Sequence, residues 1–261
     1  MTRLELDQVW ENRDLINLLA WREIKLRYKQ TIIGAAWAII QPLVTMVVFT
    51  VLFGKLMKVS SEGIPYPIFA YSALVPWTFF VHALTKSTHS LVSHQDIITK
   101  VYFPRLVIPI AAVLAAFIDF IIAFAILILM MFFYGMAPGI SILSLPVFIL
   151  LTIATALGVG LWLAVLNVQY RDVANALSFI TQIWLFITPV AYSSGMIPKN
   201  WQFLYGLNPM VGVVEGFRWA LTGSSNPLGP TFFVSLITAV ATLAGGIYYF
   251  RQREDSFADV V

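Results

Sequence analysis

The 261-residue sequence has no cysteine, so it forms no disulfide, no thiolate metal site and no cysteine nucleophile, and it says nothing of a redox compartment. Charge is scarce as well. Asp, Glu, Lys and Arg make up 11% of the residues, against about 25% in an ordinary soluble domain, while 59% are hydrophobic. That balance points away from a water-soluble fold and leaves little length for a soluble catalytic domain. No G-x-x-x-x-G-K-[ST] stretch exists to cradle ATP phosphates, so ATP hydrolysis through a P-loop is excluded for this chain. His82, His89 and His94 never fall at the i, i+4 spacing that brings two imidazoles to one metal, and no metal site is expected. The paired carboxylates of a Mg²⁺-dependent transferase acting on polyprenyl phosphate are missing from either membrane face. No internal repeat supports a secondary transporter built from inverted halves. Residues 1–29 are charged rather than apolar and do not read as a cleavable signal peptide.

What the sequence does contain is a series of charge-free runs. A spanning helix needs about 20 apolar residues to cross a hydrocarbon core about 30 Å thick. Residues 30–54 and 63–85 meet that requirement, and the long stretch between Arg105 and Arg171 divides into two at Gly135-Met136-Ala137-Pro138-Gly139. A fifth run follows Asp172 to about Tyr192, and the last spans residues 231–250. The expected fold is therefore an all-α membrane protein with about six transmembrane helices in residues 31–250. Residues 1–30 and 251–261 form the N-terminal segment and the tail.

Lysine and arginine orient these spans, because they are retained on the cytoplasmic side during insertion. Arg3, Arg13, Arg22, Lys25, Arg27, Lys29, Lys86, Lys100, Arg105, Arg171, Arg251 and Arg253 fall on one side, and only Lys55, Lys58, Lys199 and Arg218 on the other. This twelve-to-four sorting places both termini in the cytoplasm and accounts for the net charge of +3 without invoking nucleic acid.

The joints carry the remaining information. In the N-terminal segment Leu15, Leu18 and Leu19 share a helical face that Arg22 interrupts, which fits either an interfacial helix with snorkelling cations or an ordinary positive-inside flank. Asp119 lies inside the third run with no Lys or Arg in a span to meet it. It is readable either as part of a relay or as a helix–helix hydrogen-bonding group. Asp172 is placed to cap the helix that follows Arg171. Residues 193–229 are too polar and broken to cross, yet too apolar for a free loop. They suggest short re-entrant or interfacial helices on the outer face, with Glu215 and Arg218 spaced to pair.

These residues also resemble a known family. Trp21-Arg22-Glu23-Ile24-Lys25-Leu26-Arg27-Tyr28-Lys29, followed by Gly34, Trp37, Gln41 and Pro42, is similar to the entry into the first span of type-2 ABC transporter permeases. Tyr170-Arg171-Asp172-Val173 with Phe186, Thr188-Pro189-Val190 and Tyr192, then Asn208-Pro209 with Glu215, Phe217 and Arg218, resembles the branch that exports polysaccharide such as O-antigen, capsule or teichoic acid. The resemblance implies an inner-membrane homodimer joined to two nucleotide-binding ATPase subunits, which would bind the ATP and Mg²⁺, this chain holding no cofactor. It implies a polysaccharide substrate on a polyprenyl carrier. It also implies an interfacial helix carrying Trp21, Arg22, Lys25 and Arg27, and a coupling element in residues 88–105 with Asp96 and Lys100, joined by Arg171 and Asp172. Asn208, Pro209, Glu215 and Arg218 would build the outer segment.

Sugar rings present C–H faces to aromatic side chains and hydroxyls to uncharged polar ones. Trp37, Phe49, Phe53, Phe179, Trp184, Phe186 and Tyr192, in the first and fifth runs, are the candidate lining of a polymer path, the competing reading being membrane anchors and lipid-facing filler. Rival functions are a type-2 permease for a small lipophilic molecule, with the same architecture, and an ion-coupled transporter, for which only Asp119 speaks. One prediction follows from the missing P-loop: the purified chain alone shows no ATP hydrolysis above background in a phosphate-release assay, and activity appears only with a P-loop subunit.

Overall fold

A computed structural model describes residues 10–29, 34–101, 103–170, 172–223, 229–254 and 257, and no strand occurs among them. Helix α1 (Arg13–Lys29) opens with Asp14 in its first turn and closes with Arg27 and Lys29 in its last, each sign matched to the helix dipole. Helix α2 (Gly34–Phe49) contains Pro42 and widens at its end into a π-helix, Thr50–Leu56. Then come α3 (Tyr66–Ser93), the single turn α4 (Gln95–Ile98) and α5 (Val107–Phe133). Helices α6 (Leu145–Gln169), α7 (Val173–Ile187), α8 (Gln202–Gly206), α9 (Pro209–Thr222) and α10 (Pro230–Glu254) complete the order.

Among the described residues, five helical segments are long and apolar enough to cross a membrane: Ile39–Leu56, Tyr66–Ser93, Val107–Phe133, Ile140–Gln169 and Pro230–Glu254. The expected fifth span is shorter than its apolar run, because α7 stops after 15 residues. Thr188 turns to extended backbone (φ −95°, ψ 142°) ahead of Pro189, whose ring disfavours helical geometry in the residue before it. Helix α3 is longer than its apolar run. It continues past Thr85 to Ser93, so the first part of the expected loop at residues 88–105 is helix. The break in the long run falls where expected, with Gly135 in the left-handed region at φ 71°.

Helix α3 is the hub, packing along α5 and α6, while α6 also packs along α10. Its Phe69, Tyr71, Leu74, Phe80 and Leu84 are fully buried with Phe120, Phe148, Met210, Val214 and Phe217. A second apolar cluster sits at the other end of the bundle. Ile16, Leu19 and Ala20 of α1 meet Leu91, Ile98, Phe103, Leu106, Phe250 and Phe257 there. This corrects the expected face of the N-terminal helix, since Leu18 is 64% exposed and the buried stripe is Ile16, Leu19 and Ala20. Arg22 is exposed beside that stripe and does not interrupt it.

Without a hydrophobic drive between helices in lipid, close backbone approach through small residues matters more. A Cβ on Gly158 would lie 2.7 Å from the backbone nitrogen of Leu243, and one on Gly246 2.5 Å from the carbonyl oxygen of Gly158. Gly158→Val therefore forces α6 and α10 apart, with an expected loss of about 1–3 kcal/mol. The measurement is a lowered unfolding midpoint in detergent, with the exposed-face control Leu150→Val unchanged.

Candidate substrate path and coupling surface

The C-terminal end of α7 is held by side chains from four other segments. Asn208 is the N-cap of α9, accepting from the Met210 N–H at 3.0 Å, and Pro209 follows at the first helical position, where a missing N–H costs nothing. The same Asn208 oxygen accepts from Trp184 Nε1 at 2.9 Å, and its amide donates to Thr188 Oγ1 at 3.0 Å. Thus Asn208 clamps the last turn of α7 to the first turn of α9. Tyr205 donates to Tyr192, which donates to the carbonyl of Phe186 at 3.1 Å, and Tyr66 donates to the carbonyl of Ala191 at 2.6 Å. Ser193 donates to Glu62, which reaches across from the loop before α3.

Arg218 does not pair with Glu215 as the three-residue spacing suggests; no ion pair within 4 Å joins these two described residues. The guanidinium is buried and lies 3.6 Å above the ring of Phe69, donating to the carbonyl of Pro189 at 3.0 Å. It thereby answers a carbonyl that the end of α7 leaves outside the helical ladder.

The seven candidate path aromatics separate into two groups. Trp37, Phe179 and Phe186 are 56%, 64% and 63% exposed and lie on bare apolar faces, with Val44 and Val47 on α2, Val51 on the π-helix that continues it, and Ile180, Ile183 and Ile187 on α7. Phe49 is buried and meets half-buried Phe53 edge-on at 5.4 Å. Trp184 packs edge-on against Phe80 at 5.0 Å, and Tyr192 is engaged in the outer hydrogen bonds. In the single chain these four pack inward or stiffen the joint.

At the other end, the expected coupling element contains the turn α4. Asp96 and Lys100 are exposed, whereas Ile98, Phe103 and Leu106 are buried beneath them against α1. The backbone N–H of Arg105 donates to Glu254 Oε1 at 2.7 Å, so the element is also tied to the end of α10. Arg171 lies outside the described residues. Asp172 occupies the cap position of α7 but makes no side-chain cap, because its backbone is already helical (φ −71°, ψ −17°) and its side chain is exposed. On α1, Trp21, Arg22 and Lys25 are exposed, while Arg27 turns inward and bonds Asp119. Asp119, which has no Lys or Arg in a span to meet it, is thus met by a cation all the same. Its partner comes from the N-terminal helix, not from a span. Sequence reasoning gave no role to Glu23, which shares the buried face of Ile16, Leu19 and Arg27; its spacing of i+4 from Leu19 is the signal that marks it.

If Arg218 holds the outer joint, Arg218→Lys should lose the flat contact with Phe69 while retaining charge. The expected cost is about 1–3 kcal/mol. It is read as a lower unfolding midpoint and as faster protease cleavage between Thr188 and Lys199.

Comparison with known proteins places this architecture. The family described as ABC-2 type transporter matches residues 14–222. The "O-antigen export system permease protein RfbA" of Klebsiella pneumoniae is 27% identical over 252 residues, covering 95% of both chains. The RfbA protein of Myxococcus xanthus is 26% identical over 97% of this chain and 98% of its own. The "Polysialic acid transport protein KpsM" of Escherichia coli is 27% identical over 92% of this chain and 94% of its own. With five helices able to cross a membrane, the chain is a multi-pass member of the ABC-2 type transporter family.

Proposed function

We propose that this chain is the permease subunit of an inner-membrane exporter that moves a polysaccharide, carried on a polyprenyl lipid, out of the cytoplasm. The observation that carries the reading is similarity across more than nine-tenths of the chain to permeases named for O-antigen export and polysialic acid transport. A separate ATPase, binding ATP and Mg²⁺, supplies the energy, since this sequence has no P-loop. The exposed charges of Asp96 and Lys100, set on a buried apolar footing, are the surface it presses upon.

In this reading α7 and the joint after it form the remaining crossing, which brings both termini to the cytoplasmic side, and α8 and α9 re-enter from the outer face. Two copies meet across the bare faces of α2 and α7, with the polymer moving between them. Trp37, Phe179 and Phe186 suit a sliding neutral chain, because a polymer held by desolvated ion pairs would have to break several kcal/mol at each step. Aromatic contacts of about 0.5–1.5 kcal/mol exchange readily as the chain advances.

In a strain lacking its own permease, Trp37→Ala, Phe179→Ala and Phe186→Ala should each lower polymer export about two- to tenfold at matched expression, the fold-change equivalent of such contacts. Complex formation with the ATPase, followed by co-purification, is retained. Wild-type export by the triple variant would assign these rings to lipid instead. Export of a small lipophilic molecule with no polymer moved would favour the rival permease reading.

A further inference from the structure

Charged contacts converge on one seam between α1, α3 and α5. Glu23 of α1 lies 3.6 Å from His94 Nε2 and 3.9 Å from Lys86 Nζ, both from the cytoplasmic half of α3 and its cap. One turn further along α1, Arg27 bonds the buried carboxylate of Asp119 on α5, and His82 Nδ1 of α3 lies 3.7 Å from the same oxygen. The order Glu23, Arg27 on α1 against His94, Lys86, His82 on α3 means that the two helices run antiparallel. Helix α1 therefore rises beside the bundle. At the inner end of the ladder, a cavity of about 10 Å³, roughly the space one water needs, is lined by Gln41, Pro42, His82 and Asp119. The pair thus abuts the proline of the first span.

Apolar burial does not by itself choose the docking face of α1. Away from that face α1 carries Leu18, Trp21 and Leu26, all more than half exposed, which offer more apolar area than the buried Ile16, Leu19 and Ala20. Glu23 and Arg27 do choose, since Glu23 reaches Lys86 and His94 while Arg27 bonds Asp119, and rotating the helix would break these contacts together. Ion pairs are best attested in this role of fixing register.

We infer that Asp119 is a positioning residue for transport: with Arg27 it ties the cytoplasmic platform of α1 and α4 to the spans α3 and α5, so that force on the turn α4 moves them as one body. The platform side of this body is the shared cluster of Ile16, Leu19, Leu91 and Ile98. The inference rests on the reading of α4 as the contact with an ATPase.

The test uses the permease assembled with its ATPase in nanodiscs. Because the chain has no cysteine of its own, spin labels are placed on cysteines at exposed Leu18 and Val92. The native pair should give a narrow distance distribution. Asp119→Asn should broaden it and lower polymer moved per ATP hydrolysed by about tenfold, the order of a coupling energy between sites, while Asp119→Glu and the exchange Arg27→Asp with Asp119→Arg restore both. If Asp119→Asn fails to accumulate, Arg27→Gln, altered at a partly exposed side chain, decides in its place. An unchanged distribution overturns the tie, and a broadened one with an unchanged transport-to-hydrolysis ratio overturns the positioning role. The distance measurement needs no substrate, so a wild-type complex that moves no polysaccharide sinks the export reading without touching the tie.

Discussion

A buried backbone carbonyl has no water to bond, and the irregular stretch after α7 is built around that constraint. The break after α7 takes Pro189, Val190 and Ala191 out of helical hydrogen bonding while burying them together with Thr188. Arg218 reaches the carbonyl of Pro189, Tyr66 that of Ala191, and Tyr192 that of Phe186. Asn208 adds side-chain bonds to Trp184 and Thr188. Each donor comes from beyond the helix it serves, so the joint exists only because α3, α8 and α9 are packed around it. A buried guanidinium is costly alone; here the ring of Phe69 and the carbonyls offset its lost hydration.

The opposite end uses different chemistry for a related purpose. A small apolar cluster binds α1, the turn α4 and the ends of α3, α6 and α10 into one platform, and charge contacts fix its register. Exposed Asp96 and Lys100 then sit on a footing that cannot yield locally, because Ile98 and Phe103 beneath them are buried. Between the two ends α3 is buried along most of its length, whereas α2 and α7 leave wide apolar faces uncovered. Rigid ends and bare flanks suit a subunit whose working surface is completed by a second copy.

Much of this was legible along the chain. Charge-free runs mark the five long helices, Gly135 marks the turn between α5 and α6, and Asn208-Pro209 marks the start of α9. These features are local: run length, a left-handed glycine and a cap-plus-proline pair each act within a few residues. Even the early end of α7 was written in Thr188-Pro189, although the apolar run continuing to Tyr192 concealed it.

The partners of the charged residues were not legible. Asp119 lies 92 positions from Arg27 in the chain, and Arg218 lies 29 from Pro189. No local pattern links them, and nearer residues such as Glu215 offered a simpler pairing that the fold does not make. The sequence by itself determined where the long apolar helices lie, because crossing hydrocarbon demands a sustained run of apolar residues. Only the tertiary structure decided which face of α1 is buried, which aromatics turn outward and which charges meet, because those depend on how helices distant in sequence rotate against one another.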